Sequence, residues 1–268
     1  MKDIKLNNET FIPQIGLGTW LISNDEVYDA YMNALKVGYR HFDSAQDYMN
    51  EENLGKAIND CGISRESLYI TSKVASHQKS YDDAKKSIEI SLEKLNTPYI
   101  DLMLIHCPTP WKEYNPRTKT YYKENVEVWR ALEEFVKLGK IKSIGVSNFN
   151  KDDIENILKN CSIKPVINQI PVYIGNTDLD LISYCLRNNI QVEAYSPIAH
   201  GRLLNNKEAL NIANKYHCSI AQLCIQYTIQ LGLISLPKTI NIEHMKENIH
   251  LDFEISKEDM DILIKIKE

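Results

Sequence analysis

The sequence has no long apolar run, either at its start or later. The opening stretch, MKDIKLNNETFIPQ, lacks the apolar segment of a signal peptide, and no later stretch has the roughly 20 apolar residues that a bilayer-spanning helix needs. Positive charge is not in excess either, since the formal net charge is -5 at pH 7. Proteins that bind nucleic acid or anionic membranes usually carry a basic face. These features predict a cytoplasmic protein that binds neither.

Cysteine and histidine are present but do not follow metal-binding or disulfide patterns. None of the six cysteines has CxxC spacing, and the seven histidines form no HExxH motif. A chain of 268 residues without an export signal is long enough to fold without a disulfide framework. We therefore expect reduced thiols and no metal site.

Apolar, β-rich runs alternate with segments of helical periodicity along the chain. In DDAKKSIEISLEKL, for example, Ala84, Ile88, Leu92 and Leu95 fall on one helical face. Eight apolar runs, each followed by a helical segment, predict a parallel sheet with right-handed crossovers. Eight such units favour an α/β fold of the closed (β/α)8 TIM-barrel type, formed by a single domain over residues 1–268.

The ends of the chain add two further elements to this prediction. A short N-terminal β-hairpin, turned at Asn7-Asn8 and lying over the barrel as a cap, should precede it, and a C-terminal helix should follow it. A doubly wound fold is the runner-up. Gly16-x-Gly18 is a fragment of the GxGxxG pattern, but no third glycine opens a helix, which disfavours that alternative.

Polar or aromatic residues end every predicted strand. In barrels of this type the chemistry takes place at the C-terminal ends of the strands. The segment HFDSAQDYMNE places Asp43, Asp47 and Tyr48 after the second strand, while Lys73 and His106 end the third and fourth. Any one of these residues would usually be solvated surface. Together, an acid, a phenol, an ammonium and an imidazole would meet over one rim.

These groups suit the donation of a proton to a carbonyl oxygen. Tyrosine is a poor acid near neutral pH because its free pKa is about 10. A nearby lysine lowers that pKa, an aspartate holds the lysine in place, and a histidine orients the reacting oxygen. No nucleophile with an adjacent base is evident, so acyl transfer fits poorly. Because no side chain supplies a hydride, a nicotinamide cofactor is implied.

Three separated segments resemble the signatures of the aldo-keto reductase family. GYRHFDSAQDYMNEENLG (38–55) resembles the first signature, KIKSIGVSNF (140–149) the second and LPKTINIEHMKEN (236–248) the third. The resemblance extends from FIPQIGLGTW to LDFEISKEDMDILIKI, nearly the whole chain. Within the family, the sequence is most similar to bacterial reductases of the 2,5-diketogluconate reductase and prostaglandin F synthase type, which act on small aldehydes, dicarbonyls and keto sugars.

The resemblance implies a role for each matching position. The catalytic residues would be Asp43, Lys73, His106 and Tyr48, with Tyr48 as the general acid. Residues implied in cofactor binding are Thr19, Ser147, Asn148, Gln169, Tyr195, Ser196, Ile198, Lys238, Thr239, His244, Glu247 and Asn248. Trp20, Cys107 and Trp111 would shape the substrate mouth.

Three positions depart from the family pattern. His244 stands where an arginine usually binds the 2'-phosphate of NADP, and an exposed histidine is mostly neutral at pH 7. NADPH remains the expected cofactor because Lys238 is present, with NADH possible because of His244. Cys107 replaces a frequent tryptophan and should widen the pocket. The sixth strand continues as NQIPVYIGN, which leaves the path of the following loop open.

Two alternatives to an NADPH-dependent carbonyl reductase remain. Some relatives in the family act mainly as nucleotide-sensing regulatory modules, although such a module has no need of both Tyr48 and His106. A barrel lyase or isomerase could instead form a Schiff base on Lys73, which the adjacent acid and the cofactor motifs disfavour. We expect a monomer that acts on a small-molecule carbonyl substrate.

Overall fold

Eight parallel strands form one sheet in the computed structural model, which describes residues 2–267. Their order in the sheet follows their order in the chain. The strands are β3 (Leu17–Gly18), β4 (His41–Asp43), β5 (Tyr69–Val74), β6 (Ile100–Ile105), β7 (Ile141–Ser147), β8 (Ile167–Pro171), β9 (Gln191–Tyr195) and β10 (Ile234–Leu236).

Backbone hydrogen bonds join the last strand to the first. Gly16 N donates to Ser235 O at 3.0 Å, and Ser235 N donates to Gln14 O at 2.9 Å. A third bond, from Gly18 N to Pro237 O, measures 3.0 Å. The sheet therefore closes into the predicted barrel, and the doubly wound alternative is wrong.

Helices surround the barrel and bury the outer faces of the strands. All six residues of β5 are buried, as expected for a parallel strand that is covered on both faces. Two helices rather than one follow β9, which departs from the predicted alternation. The helices are α1 (Asn24–Val37), α2 (Glu51–Asp60), α3 (Tyr81–Lys94), α4 (Tyr122–Lys137), α5 (Lys151–Asn160), α6 (Leu179–Arg187), α7 (Lys207–Lys215), α8 (Ile220–Gln230), α9 (Ile242–Ile249) and the C-terminal α10 (Lys257–Leu263).

The N-terminal hairpin covers the end of the barrel where the strands begin. It pairs β1 (Asp3–Lys5) with β2 (Phe11–Pro13), and its turn includes the predicted Asn7-Asn8. Ile12 packs in one cluster with Tyr69 and Ile234, which are the first residues of their strands. The hairpin thus closes this end of the barrel and leaves the opposite end open.

Helix α2 approaches α3 closely because Gly55 has no side chain. A Cβ atom at Gly55 would lie 2.3 Å from the carbonyl oxygen of Lys94. The buried Glu51, at the start of α2, accepts a hydrogen bond of 2.6 Å from Ser72 Oγ on β5. The short 3-10 turn Gln46–Tyr48 lies just before α2 and is held by the Gln46 side chain, which donates to Ser87 O at 3.0 Å and accepts a bond of 2.8 Å from Ala75 N.

Two of the connections at the open end of the barrel follow β6 and β8. The one after β6 is held by Arg117, which forms two bonds of 2.6 Å to the buried carboxylate of Asp153 on α5. After β8 the chain turns between Tyr173 and Asn176, whose backbones pair with each other. This turn gives the path of the NQIPVYIGN segment. No helix within residues 2–267 is both long and apolar enough to cross a bilayer.

Candidate active site

A cavity of about 860 Å³ opens at the C-terminal ends of the strands. This volume is within the usual range for sites that bind small molecules and cofactors. Most residues that the sequence placed at the site line it, although they come from seven different strand ends. These are Trp20, Asp43, Tyr48, His106, Trp111, Ser147, Asn148, Gln169, Tyr195, Ser196, Ile198 and Lys238.

Lys73 lies behind the cavity wall and connects Asp43 to Tyr48. Its fully buried ammonium donates to both Asp43 carboxylate oxygens, at 2.7 and 2.8 Å, and to Ser44 O at 2.8 Å. Its fourth contact, of 3.3 Å, is with the Tyr48 hydroxyl. Burial lowers the pKa of Lys73, but Asp43 and Tyr48 outweigh it and the pKa is raised. A Schiff base needs a neutral amine, so this environment disfavours the lyase alternative.

The Tyr48 hydroxyl is more firmly protonated than the sequence suggests. Burial raises the pKa of Tyr48 to about 12, although Lys73 acts in the opposite direction. The expected lowering by Lys73 is therefore present but smaller than the cost of moving a phenolate out of water. Tyr48 consequently holds its proton throughout the neutral range and is available as a donor.

His106 faces Tyr48 across the cavity and contacts a carboxylate on its other side. The two rings are 5.5 Å apart and nearly perpendicular. Nδ1 of His106 lies 3.2 Å from Oδ2 of Asp47, which also accepts a bond of 3.0 Å from Trp111 Nε1. Burial lowers the pKa of His106, with partial opposition from Asp47. The imidazole is therefore mostly neutral at pH 7.

Polar groups at the ends of β7 and β8 form the opposite wall. Asn148, which has a left-handed φ of 62°, donates to His106 O at 3.0 Å and accepts a bond of 2.9 Å from the Tyr195 hydroxyl. Ser147 Oγ donates to Gln169 O at 2.9 Å. Lone pairs on Ser147, Asn148 and Gln169 remain for the amide group of a ligand. These acceptors fit the NH2 group of a nicotinamide carboxamide, since the side-chain donors of the three residues already bond within the protein.

A second acid lies deeper in the barrel than Asp43. Gln169 Nε2 donates to Asp43 Oδ2 at 2.8 Å and to Glu193 Oε2 at 2.6 Å, while Glu193 Oε1 is 3.5 Å from His41 Nε2. Burial raises the pKa of Glu193 to about 8, and the nearby Asp43 charge adds to this effect. Burial also lowers the pKa of His41 to about 4. At neutral pH, Asp43 is thus the carboxylate that balances the charge of Lys73.

Several residues named from the sequence do not line the cavity. Cys107 is fully buried and does not line the cavity, so its own side chain forms no part of the substrate mouth. The buried Thr19 donates its hydroxyl to Asp43 O at 2.8 Å and joins two strand ends. The remaining four follow β10 or belong to α9, beyond the rim of the cavity: Thr239, His244, Glu247 and Asn248.

Asp47, Glu193 and His200 contribute to the site but gained no role from the sequence. Asp47 stands directly before Tyr48, but its contacts depend on a 3-10 turn and on a distant loop. Glu193 was hidden inside an apolar run. His200 lines the cavity and meets the edge of Trp20 with ring centroids 5.5 Å apart, because the chain after β9 folds back over the opening. Its left-handed φ of 53° was not visible in the pattern.

Comparisons with known proteins agree with this geometry. The Aldo/keto reductase family model matches residues 14–268. Glyoxal reductase of Bacillus subtilis is 40% identical over 97% of this chain and 91% of its own length. Methylglyoxal reductase DkgA of Escherichia coli K12 is 35% identical over 99% and 93% of the two chains.

Solved structures are similar over the whole barrel. An aldo/keto reductase from Brucella melitensis has a TM-score of 0.91 and 38% identity, with 98% of this chain and 97% of that chain covered. An aldo-keto reductase of Bombyx mori, solved in complex with NADP, has a TM-score of 0.87 and 34% identity, with 98% and 92% covered. Since the family model and these relatives span nearly all of the sequence, the chain belongs to the aldo/keto reductase family.

Proposed function

We propose that this protein reduces small aldehydes and dicarbonyls to alcohols with a reduced nicotinamide cofactor, preferably NADPH. The observation that carries the proposal is the position of the Tyr48 hydroxyl. It lines the cavity, lies 3.3 Å from the buried ammonium of Lys73 and faces His106. A carbonyl oxygen bound between Tyr48 and His106 would receive its proton from Tyr48.

Each side chain of the site has a separate task in this reaction. Tyr48 donates a proton to the oxygen as negative charge develops there. The Lys73 ammonium stabilises the phenolate that remains. Asp43 holds Lys73 in place because both of its carboxylate oxygens accept hydrogen bonds from the ammonium. His106 orients the carbonyl oxygen. When bound, the nicotinamide supplies the hydride that no protein side chain can provide.

The polar wall at β7 and β8 supports binding of the nicotinamide end of the cofactor. Ser147, Asn148 and Gln169 would hold the carboxamide, and the Tyr195 ring would lie beneath the nicotinamide. Lys238, which is exposed at the cavity rim after β10, would meet phosphate. His244 is also exposed, on α9, and would contribute less than the arginine usual in the family. We therefore propose NADPH as the preferred cofactor with a reduced margin over NADH.

The walls near Tyr48 favour a neutral substrate. Trp20 and Trp111 are half-exposed aromatic side chains at the mouth, and Asp47 adds a carboxylate beside His106. A keto acid anion would be repelled there, whereas a small dicarbonyl would not. The relatives named for glyoxal and methylglyoxal reduction support the same substrate class and favour turnover over nucleotide sensing alone.

The proposal is tested by following the loss of NADPH absorbance, and separately of NADH absorbance, with methylglyoxal. Turnover that is faster with NADPH is expected. Clear cofactor binding without reduction of methylglyoxal or of a nitrobenzaldehyde would contradict the proposed activity. Sedimentation of the same sample tests the accompanying proposal that the protein is a monomer.

A further inference from the structure

Asp47 is a carboxylate in contact with the imidazole of His106. Its side chain is 26% exposed, lines the cavity and stands one residue before Tyr48. Its Oδ2 atom lies 3.2 Å from His106 Nδ1 and 3.0 Å from Trp111 Nε1, and Ser76 N is 3.5 Å away. Trp111 Nε1 and Ser76 N thus donate to one carboxylate oxygen, while His106 Nδ1, which has no aligned hydrogen bond among the described residues, lies in charge contact with the same oxygen.

The chemistry of these atoms restricts the protonation of His106. An ionised carboxylate can only accept hydrogen bonds. Burial raises the pKa of Asp47, but His106 and Trp111 outweigh it and the pKa is lowered, so the group is ionised at neutral pH. The negative charge 3.2 Å from Nδ1 favours a proton on this nitrogen, because two bare acceptors at that distance would repel each other. In a neutral imidazole, Nε2 is left without one.

We propose that Asp47 positions His106 by keeping the proton of the neutral ring on Nδ1, so that Nε2 donates to a carbonyl oxygen only when the ring is an imidazolium. This proposal rests on the proposed reductase function. Asp47 itself takes part in no step of the reaction described above. Asp47 acts through His106 and is a positioning residue. Trp111 holds the Asp47 carboxylate beside His106 through the hydrogen bond from its Nε1 atom. An apolar side chain at position 111 would remove this bond.

Other charges around His106 act on the same equilibrium. Burial and the Lys73 ammonium disfavour the imidazolium, while Asp47 and Asp43 favour it. Tyr48, which faces the ring, stays protonated near neutral pH. As the pH falls towards the pKa of His106, below its ordinary 6.5, the imidazolium fraction rises. Reduction should therefore become faster as the pH falls through this range.

The test compares Asp47→Asn with the wild-type enzyme in NADPH-dependent reduction of methylglyoxal across pH. In the wild type, kcat/KM should rise as the pH falls, and this rise is the acid limb of the profile. The amide in the variant cannot stabilise the imidazolium, so the midpoint of the acid limb should fall by about one pH unit or the limb should vanish. At a pH within the limb, kcat/KM should drop about tenfold. Asp47→Glu should restore part of the limb. Glu52→Gln removes an exposed charge from the start of α2 and should leave the profile unchanged.

A second measurement needs no turnover. Nitrogen-15 spectra of the histidine side chains, with His106 assigned through His106→Asn, report which ring nitrogen carries the proton. In the wild-type chain the neutral form should be protonated at Nδ1. A wild-type His106 protonated at Nε2, or an Asp47→Asn profile identical to wild type, would overturn the proposal. If the wild type reduced no carbonyl at any pH, the reductase function would fail while the spectra still decided the role of Asp47.

Discussion

The Lys73 ammonium lies 2.7 and 2.8 Å from the two carboxylate oxygens of Asp43, and neither group reaches bulk water beyond a few per cent of its surface. Two charges buried at this distance depend on each other, because each would otherwise be left without compensation for its lost hydration. The pair is held from β4 and β5, at the end of the barrel opposite the hairpin. It therefore links the stability of the fold to the chemistry of Tyr48.

Replacement of Lys73 by methionine should damage both properties. The variant leaves Asp43 buried without its partner, so unfolding in urea should show a loss of roughly 3–5 kcal/mol. Reduction should fall by at least about 100-fold, because nothing stabilises the Tyr48 phenolate. The double variant Asp43→Asn/Lys73→Met serves as the control and should recover part of the stability but none of the activity. A double variant as unstable as the single one would contradict the pairing.

Replacement of His244 by arginine should increase the preference for NADPH. A guanidinium at this exposed position of α9 could bind a 2'-phosphate with two hydrogen bonds, which histidine cannot do. We expect the Kd for NADPH to tighten about tenfold and that for NADH to change little, as measured by cofactor fluorescence. His250→Arg adds the same charge after the end of α9 and is the matched control. If His244→Arg lowered the Kd values for NADPH and NADH equally, position 244 would not face the 2'-phosphate.

Stability should decrease from about pH 6.5 to pH 8 because of Glu193. In the folded chain, Glu193 and His41 together hold one proton between about pH 4 and pH 8. In the unfolded chain, with ordinary values of 4.5 and 6.5, both protons are lost above pH 6.5. The folded state thus binds more protons in this window, and the free energy of unfolding falls as the pH rises, by about 2 kcal/mol.

The Glu193→Gln variant tests this source of pH dependence. Without an ionisable group at position 193, the decrease between pH 6.5 and pH 8 should disappear from urea unfolding curves. Glu52→Gln changes an exposed acid and should retain the wild-type slope. A slope that persists in Glu193→Gln would assign the pH dependence to other groups.

The sequence predicted the barrel because its pattern is local. Buried strands and amphipathic helices alternate in chain order, so eight repeats define the topology without any long-range information. Asp43, Tyr48, Lys73 and His106 were found for the same reason, since each ends or follows a recognisable strand. The family resemblance then supplied the residues that are proposed to bind the cofactor.

What the sequence did not predict depends on contacts between distant segments. The role of Asp47 needs the path of the loop that carries Trp111, 64 residues away. The fully buried Cys107 directly follows His106, but its side chain does not line the cavity. The net rise in the pKa of Tyr48 could not be foreseen either, because it depends on how deeply the phenol is buried rather than on the presence of Lys73 alone.

In the proposed reaction Tyr48 gives its proton to the carbonyl oxygen, and the Tyr48→Phe variant shows whether this hydroxyl is required. The substitution removes one hydroxyl from the cavity and keeps the ring. Tyr28→Phe, which removes a hydroxyl bonded to Asp60 outside the cavity, is the control. In NADPH-dependent reduction of methylglyoxal, Tyr48→Phe should lose at least about 100-fold in kcat with NADPH binding unchanged, while Tyr28→Phe retains activity. Reduction by Tyr48→Phe at near the wild-type rate would contradict the assignment.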